Sequence, residues 1–213
     1  MVANRIEKRA EEVGNFFERY KRLFSNSSDD QNEASVPPSV DLSPVLAFFV
    51  RFFNIEILEE DLGGDINAQI FYVGGFHPKF PDAQFVIILD KRLTLAQKNS
   101  SIGHEIGHIL LHLFYEMNGT EGIWRKIAEK TVLKPDPELK NAIFSDMSSL
   151  AIFMGEELEA DSFSRAILMP KREYLDSIAQ YGRLRDKEYQ ALAERFNVPQ
   201  RHVMERGREL GVL

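Results

Sequence analysis

The stretch His104-Glu105-Ile106-Gly107-His108 is the most informative segment of this 213-residue chain. Residues four apart in a helix lie on one face, about one turn from each other, so both imidazoles can reach one metal ion. The glutamate between them is placed to act on a water molecule at that ion. The spacing therefore predicts a metal-binding helix that carries its own general base.

The residues around this motif predict the helix and a strand in front of it. Thr94 followed by Gln97 fits a capping box at the start of the helix, and Asn118-Gly119 is a candidate for its end. Phe85-Val86-Ile87-Ile88-Leu89 has the length and branching of a buried strand. We expect an α+β fold, mostly helical, with a small β-sheet packed against the motif helix.

The whole chain divides into three parts. Residues 1–24 repeat apolar side chains at helical spacing, and residues 25–44 are rich in Ser, Asn, Asp and Pro, as linkers are. Residues 45–213 form the main domain, whose end (185–213) has helix-turn-helix spacing. The N-terminal helix either folds back onto the main domain or serves as a docking or dimerisation helix.

Composition excludes several classes of protein. There is no cysteine, which removes disulfides, thiolate ligands and a cysteine nucleophile. The net charge is −7, and from residue 188 to the end four arginines face four glutamates, so direct nucleic-acid binding is not expected. No apolar run reaches the roughly 20 residues that span a bilayer, and no secretion signal follows Met1, so we expect a cytoplasmic protein.

A catalytic zinc site usually has three protein ligands, so one is still missing from the motif. Phe114 occupies the position where a longer motif would have a third histidine. Glu157 and Asp161 lie four apart in an acidic segment, on one helix face, so Glu157 could bind the metal while Asp161 orients a ligating histidine. The alternatives are a solvated acidic face, or a ligand at Glu156, Glu159 or Asp161 instead.

Residues 87–170 resemble the ImmA/IrrE family of zinc metallopeptidases, and the C-terminal segment from Leu192 to Gly211 also looks like the usual ending of that family. The first shared motif is His104-Glu105-Ile106-Gly107-His108-Ile109-Leu110-Leu111-His112, and the second runs from Glu157-Leu158-Glu159-Ala160-Asp161 to Leu168-Met169-Pro170.

The resemblance implies one Zn²⁺ per chain, held by His104, His108 and Glu157, with Glu105 as the catalytic acid/base and Asp161 behind a ligand. It also implies limited cleavage of a protein or peptide substrate, such as a transcriptional repressor. The alternative is a non-proteolytic zinc regulator that binds a protein partner or DNA. The segment 109–156 is longer than is usual for the family.

The sequence also suggests three supporting roles near the motif. His112 lies four residues beyond His108, at the rim of the cleft or simply near the helix end. The strand before the motif helix is expected to be an edge strand that binds extended substrate by strand addition, although its apolar run also fits a buried strand. The donor to the oxyanion is left open among Tyr72, His77, Tyr115 and His202.

Overall fold

The computed structural model describes residues 2–25, 36–37, 40–63, 66–73, 79–113, 147–181 and 183–213, and these form the expected α+β fold with a helical majority. No helix within these ranges is long and apolar enough to cross a membrane. The helices are α1 (Val2–Ser25), α2 (Pro44–Phe52), α3 (Leu95–His108), α4 (Met147–Leu168), α5 (Lys171–Ile178), α6 (Asp186–Phe196) and α7 (Gln200–Glu209), and the strands are β1 (Ile55–Glu60), β2 (Ala68–Tyr72) and β3 (Phe85–Asp90).

The three strands form one mixed sheet in the order β1-β3-β2. β3 is parallel to β1 and antiparallel to β2, so both of its sides are hydrogen-bonded within the sheet. The expectation that β3 is an edge strand is therefore wrong. Its apolar side chains point to both faces of the sheet and nearly all are buried, which is the pattern of a central strand.

The motif helix begins as predicted. The hydroxyl oxygen of Thr94 accepts a hydrogen bond from the backbone N–H of Gln97 at 3.3 Å, and the Gln97 amide oxygen accepts one from the Thr94 N–H at 2.9 Å. This reciprocal pair is a capping box. Beyond His108 the backbone continues as a π-helical turn, Ile109–Leu113. The predicted end at residues 118–119 lies outside the described residues.

Helices α3 and α4 pack closely, and two glycines of α3 allow this approach. A Cβ atom at Gly107 would lie 3.1 Å from the backbone oxygen of Ala160, and one at Gly103 would lie 2.6 Å from the hydroxyl of Ser164. Ile106 on α3 and Phe163 on α4 are fully buried in the same core. The two helices that carry the sequence motifs are therefore neighbours.

The N-terminal helix folds back onto the rest of the chain. Ile6, Ala10 and Val13, on one face of α1, are buried in the main hydrophobic core. Glu7 on the same helix forms two hydrogen bonds with the guanidinium of Arg206 on α7, at 2.7 and 2.9 Å. This is the first of the two alternatives, because these three apolar side chains of α1 are covered within the chain.

The described parts of the linker and of the C-terminal end bound the main domain. Within residues 25–44, Ser25 still belongs to α1, Val40 is buried, and Pro44 is already the first residue of α2. At the other end, α6 ends at Asn197, which adopts the left-handed conformation (φ 50°) that is common at helix C-termini, and α7 follows.

Candidate metal centre

Three side chains predicted from sequence meet between α3 and α4. The Nε2 atoms of His104 and His108 are 3.0 Å apart. The Glu157 carboxylate lies 3.1 Å from Nε2 of His104 through one oxygen and 3.3 Å from Nε2 of His108 through the other. Among the described residues, these three form the group of side chains that could hold a metal ion.

The hydrogen-bonding roles of these atoms favour a cation between them. Nδ1 of His104 lies 2.8 Å from the Asp161 carboxylate and donates its proton there, so Nε2 of a neutral His104 presents a lone pair. That lone pair faces an oxygen of Glu157, which is also an acceptor. Ligands of a tetrahedral zinc ion lie about 3.3 Å from one another for metal–ligand distances near 2 Å. The observed separations fit this ion.

Protonation of the two histidines differs because their neighbours differ. Burial acts to lower the pKa of His104, but the hydrogen bond to Asp161 and the charges of Glu105, Asp161 and Glu157 together raise it above its ordinary value. Burial, with His104 and His112 nearby, lowers the pKa of His108 to about 3. Without metal, the site thus tends to hold a proton on His104, and a metal ion would take its place.

Glu105 lies on α3 between the two histidines and is buried, with 7% of its surface exposed. Burial, with a smaller contribution from Glu157 and against the opposing effect of His104, raises its pKa to about 7. A carboxyl group with this pKa can both accept and release a proton near neutral pH. The position and the pKa suit a general acid/base.

Asp161 is oriented toward His104 from the same helix as Glu157. Burial acts to raise its pKa, but the hydrogen bond from His104 and the nearby His104, Arg165 and His202 hold it below the ordinary value. It remains a carboxylate that fixes the tautomer and the orientation of the His104 ring.

The other acidic residues of this segment take different places. Glu159 forms an ion pair with Arg5 of α1, so its side chain serves the contact between helices. Glu156 contributes its backbone oxygen, which lies 3.3 Å from Nε2 of His112. The His112 ring centre is 5.4 Å from that of His108, so the π-helical turn places His112 beside the metal-binding group.

Two of the four candidates for an oxyanion donor lie among the described residues. His77 and Tyr115 lie outside the described residues. Tyr72 packs its ring against Phe85, with 5.3 Å between ring centres. His202 is buried and its Nδ1 lies 2.7 Å from the hydroxyl of Ser100. Sequence reasoning missed Ser100, although it lies on the same helical stripe as the two motif histidines.

Comparison with known proteins identifies no family for this chain. No protein-family model matches it, and no curated protein matches it. A solved structure described as a Mycobacterium tuberculosis transcriptional regulator aligns with a TM-score of 0.44 and 17% sequence identity, over 97% of this chain and 51% of that one. The chain thus spans about half the length of that protein, and a match at this level assigns neither family nor function.

Proposed function

We propose that this protein is a zinc-dependent metallopeptidase. The observation that carries the proposal is the convergence of His104, His108 and Glu157 at 3.0–3.3 Å, with Glu105 buried beside the two histidines. Two imidazoles and one carboxylate are a common ligand set of catalytic zinc, which keeps its fourth position open. One Zn²⁺ per chain is expected.

Each residue of the group has a distinct role in peptide-bond hydrolysis. His104, His108 and Glu157 would hold the ion, and Asp161 fixes the His104 ring. A bound Zn²⁺ would supply Lewis acidity toward a peptide carbonyl and a water molecule. Glu105 would accept a proton from the attacking water and return it to the leaving nitrogen.

The sequence resemblance to the ImmA/IrrE family supports the same function and narrows it. It favours limited cleavage of one regulatory protein, such as a transcriptional repressor, over general digestion. We therefore expect low activity on unstructured proteins and a small number of cleavage sites in the natural substrate.

The alternative of a DNA-binding regulator gains little from the C-terminal helices. Arg206 of α7 is 1% exposed and paired with Glu7. Arg165 of α4 forms ion pairs with Glu205 and Glu209, so these carboxylates line the same side of α7. A helix with this arrangement is poorly suited to approach phosphates.

Metal content tests the ligand assignment. We expect about one zinc per chain in the wild-type protein, by analogy with single-metal peptidase sites, and a large loss in Glu157→Ala, measured by elemental analysis after purification without added metal. Glu156→Ala is the matched control, because the described contact of Glu156 uses its backbone oxygen. Full zinc in Glu157→Ala, or equal loss in both variants, would remove Glu157 from the site.

Cleavage tests the role of Glu105. Glu105→Gln keeps the shape of the side chain but cannot act as a base, so we expect bound zinc to be retained and turnover to fall by about 100-fold or more. Mass spectrometry of new N-termini in a proteome incubated with each protein provides the measurement. The same new N-termini at the same rate with Glu105→Gln would contradict the proposed mechanism.

A further inference from the structure

Ser100 and His202 form a buried polar pair outside the metal-binding group. Their side chains are joined by a hydrogen bond of 2.7 Å, and each residue is no more than 7% exposed. Ser100 precedes His104 by four residues, so it lies one turn away on the same face of α3. His202 comes from α7, more than 90 residues later in the chain.

The same point on α3 also contacts α4. The hydroxyl of Ser164 donates a hydrogen bond to the backbone oxygen of Ser100 at 2.9 Å. Gly103 provides the space for this approach, because a Cβ there would lie 2.6 Å from the Ser164 hydroxyl. Polar contacts at Ser100 therefore join α3 to both α4 and α7.

The surroundings of His202 keep its imidazole uncharged. Burial, with Arg165 and Arg201 nearby and against the opposing effect of Asp161 and Glu209, lowers the pKa of His202 to about 4. His202 is thus a neutral hydrogen-bonding group at neutral pH. Asp161, which fixes the His104 ring, lies three residues before Ser164 on α4, so the Ser164–Ser100 and Asp161–His104 hydrogen bonds are neighbouring links between α3 and α4.

We propose that His202 is a positioning residue of the metal centre, which acts through Ser100 to hold α3 against α4 and so sets the orientation of His104 toward Asp161. The inference rests on the proposed function, because it assigns His202 to the same zinc site. It makes α7 a structural part of that site. His202 does not act on the reacting atoms, since Ser100 lies on the side of His104 opposite to His108.

Zinc affinity of matched variants tests this role. His202→Leu removes the hydrogen bond to Ser100. We expect zinc to bind about tenfold more weakly, which is the smallest loss typical of mutating residues that support metal ligands. His202→Asn retains a polar atom near the position of Nδ1 and should recover most of the affinity. Arg208→Ala, at an exposed position of the same helix, is the control and should bind zinc as the wild type does.

The measurement is competition with a chromophoric chelator on the full chain, with the visible spectrum of the Co²⁺-substituted protein as a second readout. A shifted Co²⁺ spectrum in His202→Leu, restored in His202→Asn, reports ligand geometry and not merely fold stability. Ser100→Ala should weaken zinc binding similarly, and the double variant His202→Leu/Ser100→Ala little further, because both act through one bond.

The possible results separate this inference from the proposed function. If His202→Leu is folded by circular dichroism and its zinc affinity and Co²⁺ spectrum equal those of Arg208→Ala, the positioning role alone is overturned. A wild-type chain that binds no zinc would overturn both. If the His202 variants change zinc binding as expected but the wild-type protein shows no cleavage that depends on Glu105, the positioning role stands and the peptidase assignment is overturned.

Discussion

The pKa values of three histidines in this chain depend on burial and on the charges of the neighbouring side chains. Burial disfavours the charged form of all three. At His108 and His202 the nearby positive groups act in the same direction, and their pKa values fall to about 3 and about 4. At His104 the carboxylates of Asp161, Glu105 and Glu157 outweigh burial, and the pKa rises. His104 is therefore the histidine whose proton competes with a metal ion.

This difference predicts the pH dependence of zinc binding. Because the pKa of His104 is raised above its ordinary value, protons compete with zinc at that residue as soon as pH falls below the raised value. We expect the dissociation constant to increase about tenfold per pH unit there, the effect of one proton. His108, with a pKa of about 3, adds nothing until far lower pH. Chelator competition between pH 5 and 8 measures the slope.

Asp161→Asn provides the control for that slope. The substitution removes the negative charge that raises the pKa of His104, so the onset of proton competition should move to lower pH, while binding at high pH weakens. An unchanged onset in Asp161→Asn would mean that another group carries the competing proton.

At the scale of elements, the motif helix was predictable because its determinants are local. The capping box at Thr94 and Gln97 and the four-residue spacing of His104 and His108 depend on residues within two turns of each other. The central position of β3 was not predictable, because strand order depends on pairing between distant segments. The π-helical turn Ile109–Leu113 was also missed, since it follows residues that continue the same apolar pattern as the α-helix before it.

The close approach of α3 and α4 predicts the effect of one added methyl group. Gly107→Ala places a Cβ 3.1 and 3.2 Å from the backbone oxygen and Cα of Ala160, so α4 must shift. We expect a loss of about 1–3 kcal/mol in stability from overpacking. Zinc binding should weaken as well, because Glu157 lies less than one turn before Ala160. Thermal unfolding and chelator competition measure the two effects.

Gly155→Ala is the matched control for this prediction. Gly155 lies in α4 and a Cβ there would meet nothing within 4 Å. Because alanine is the better helix former, this variant should be as stable as the wild type or gain about 0.5–1 kcal/mol. Equal behaviour of the two alanine variants would contradict the idea that the contact at Gly107 limits the helix spacing.

At the scale of the whole molecule, an ion pair joins α1 to α7 across most of the sequence. Glu7 of α1 binds the guanidinium of Arg206 of α7, 199 residues later, and Arg206 also donates a hydrogen bond to the backbone oxygen of Met169 at 3.0 Å. No sequence periodicity indicates such a pair, because both residues are ordinary charged residues on amphipathic helices. The packing of α1 onto the core depends on this long-range contact and on the burial of Ile6, Ala10 and Val13.

Glu7→Ala should lower the free energy of unfolding because Glu7 is a partner of the buried Arg206 guanidinium. Arg206 is 1% exposed, and Glu7→Ala removes its two short hydrogen bonds to a carboxylate while Glu209 remains 3.7 Å away, so we expect a loss of about 1.5–3 kcal/mol. Glu11→Ala, at an exposed position of the same helix, should change stability by less than about 0.5 kcal/mol. Denaturant unfolding of the metal-free protein measures both. If Glu7→Ala were as stable as Glu11→Ala, the apolar face of α1 alone would hold this helix, and Met169 and Glu209 would be sufficient partners for Arg206.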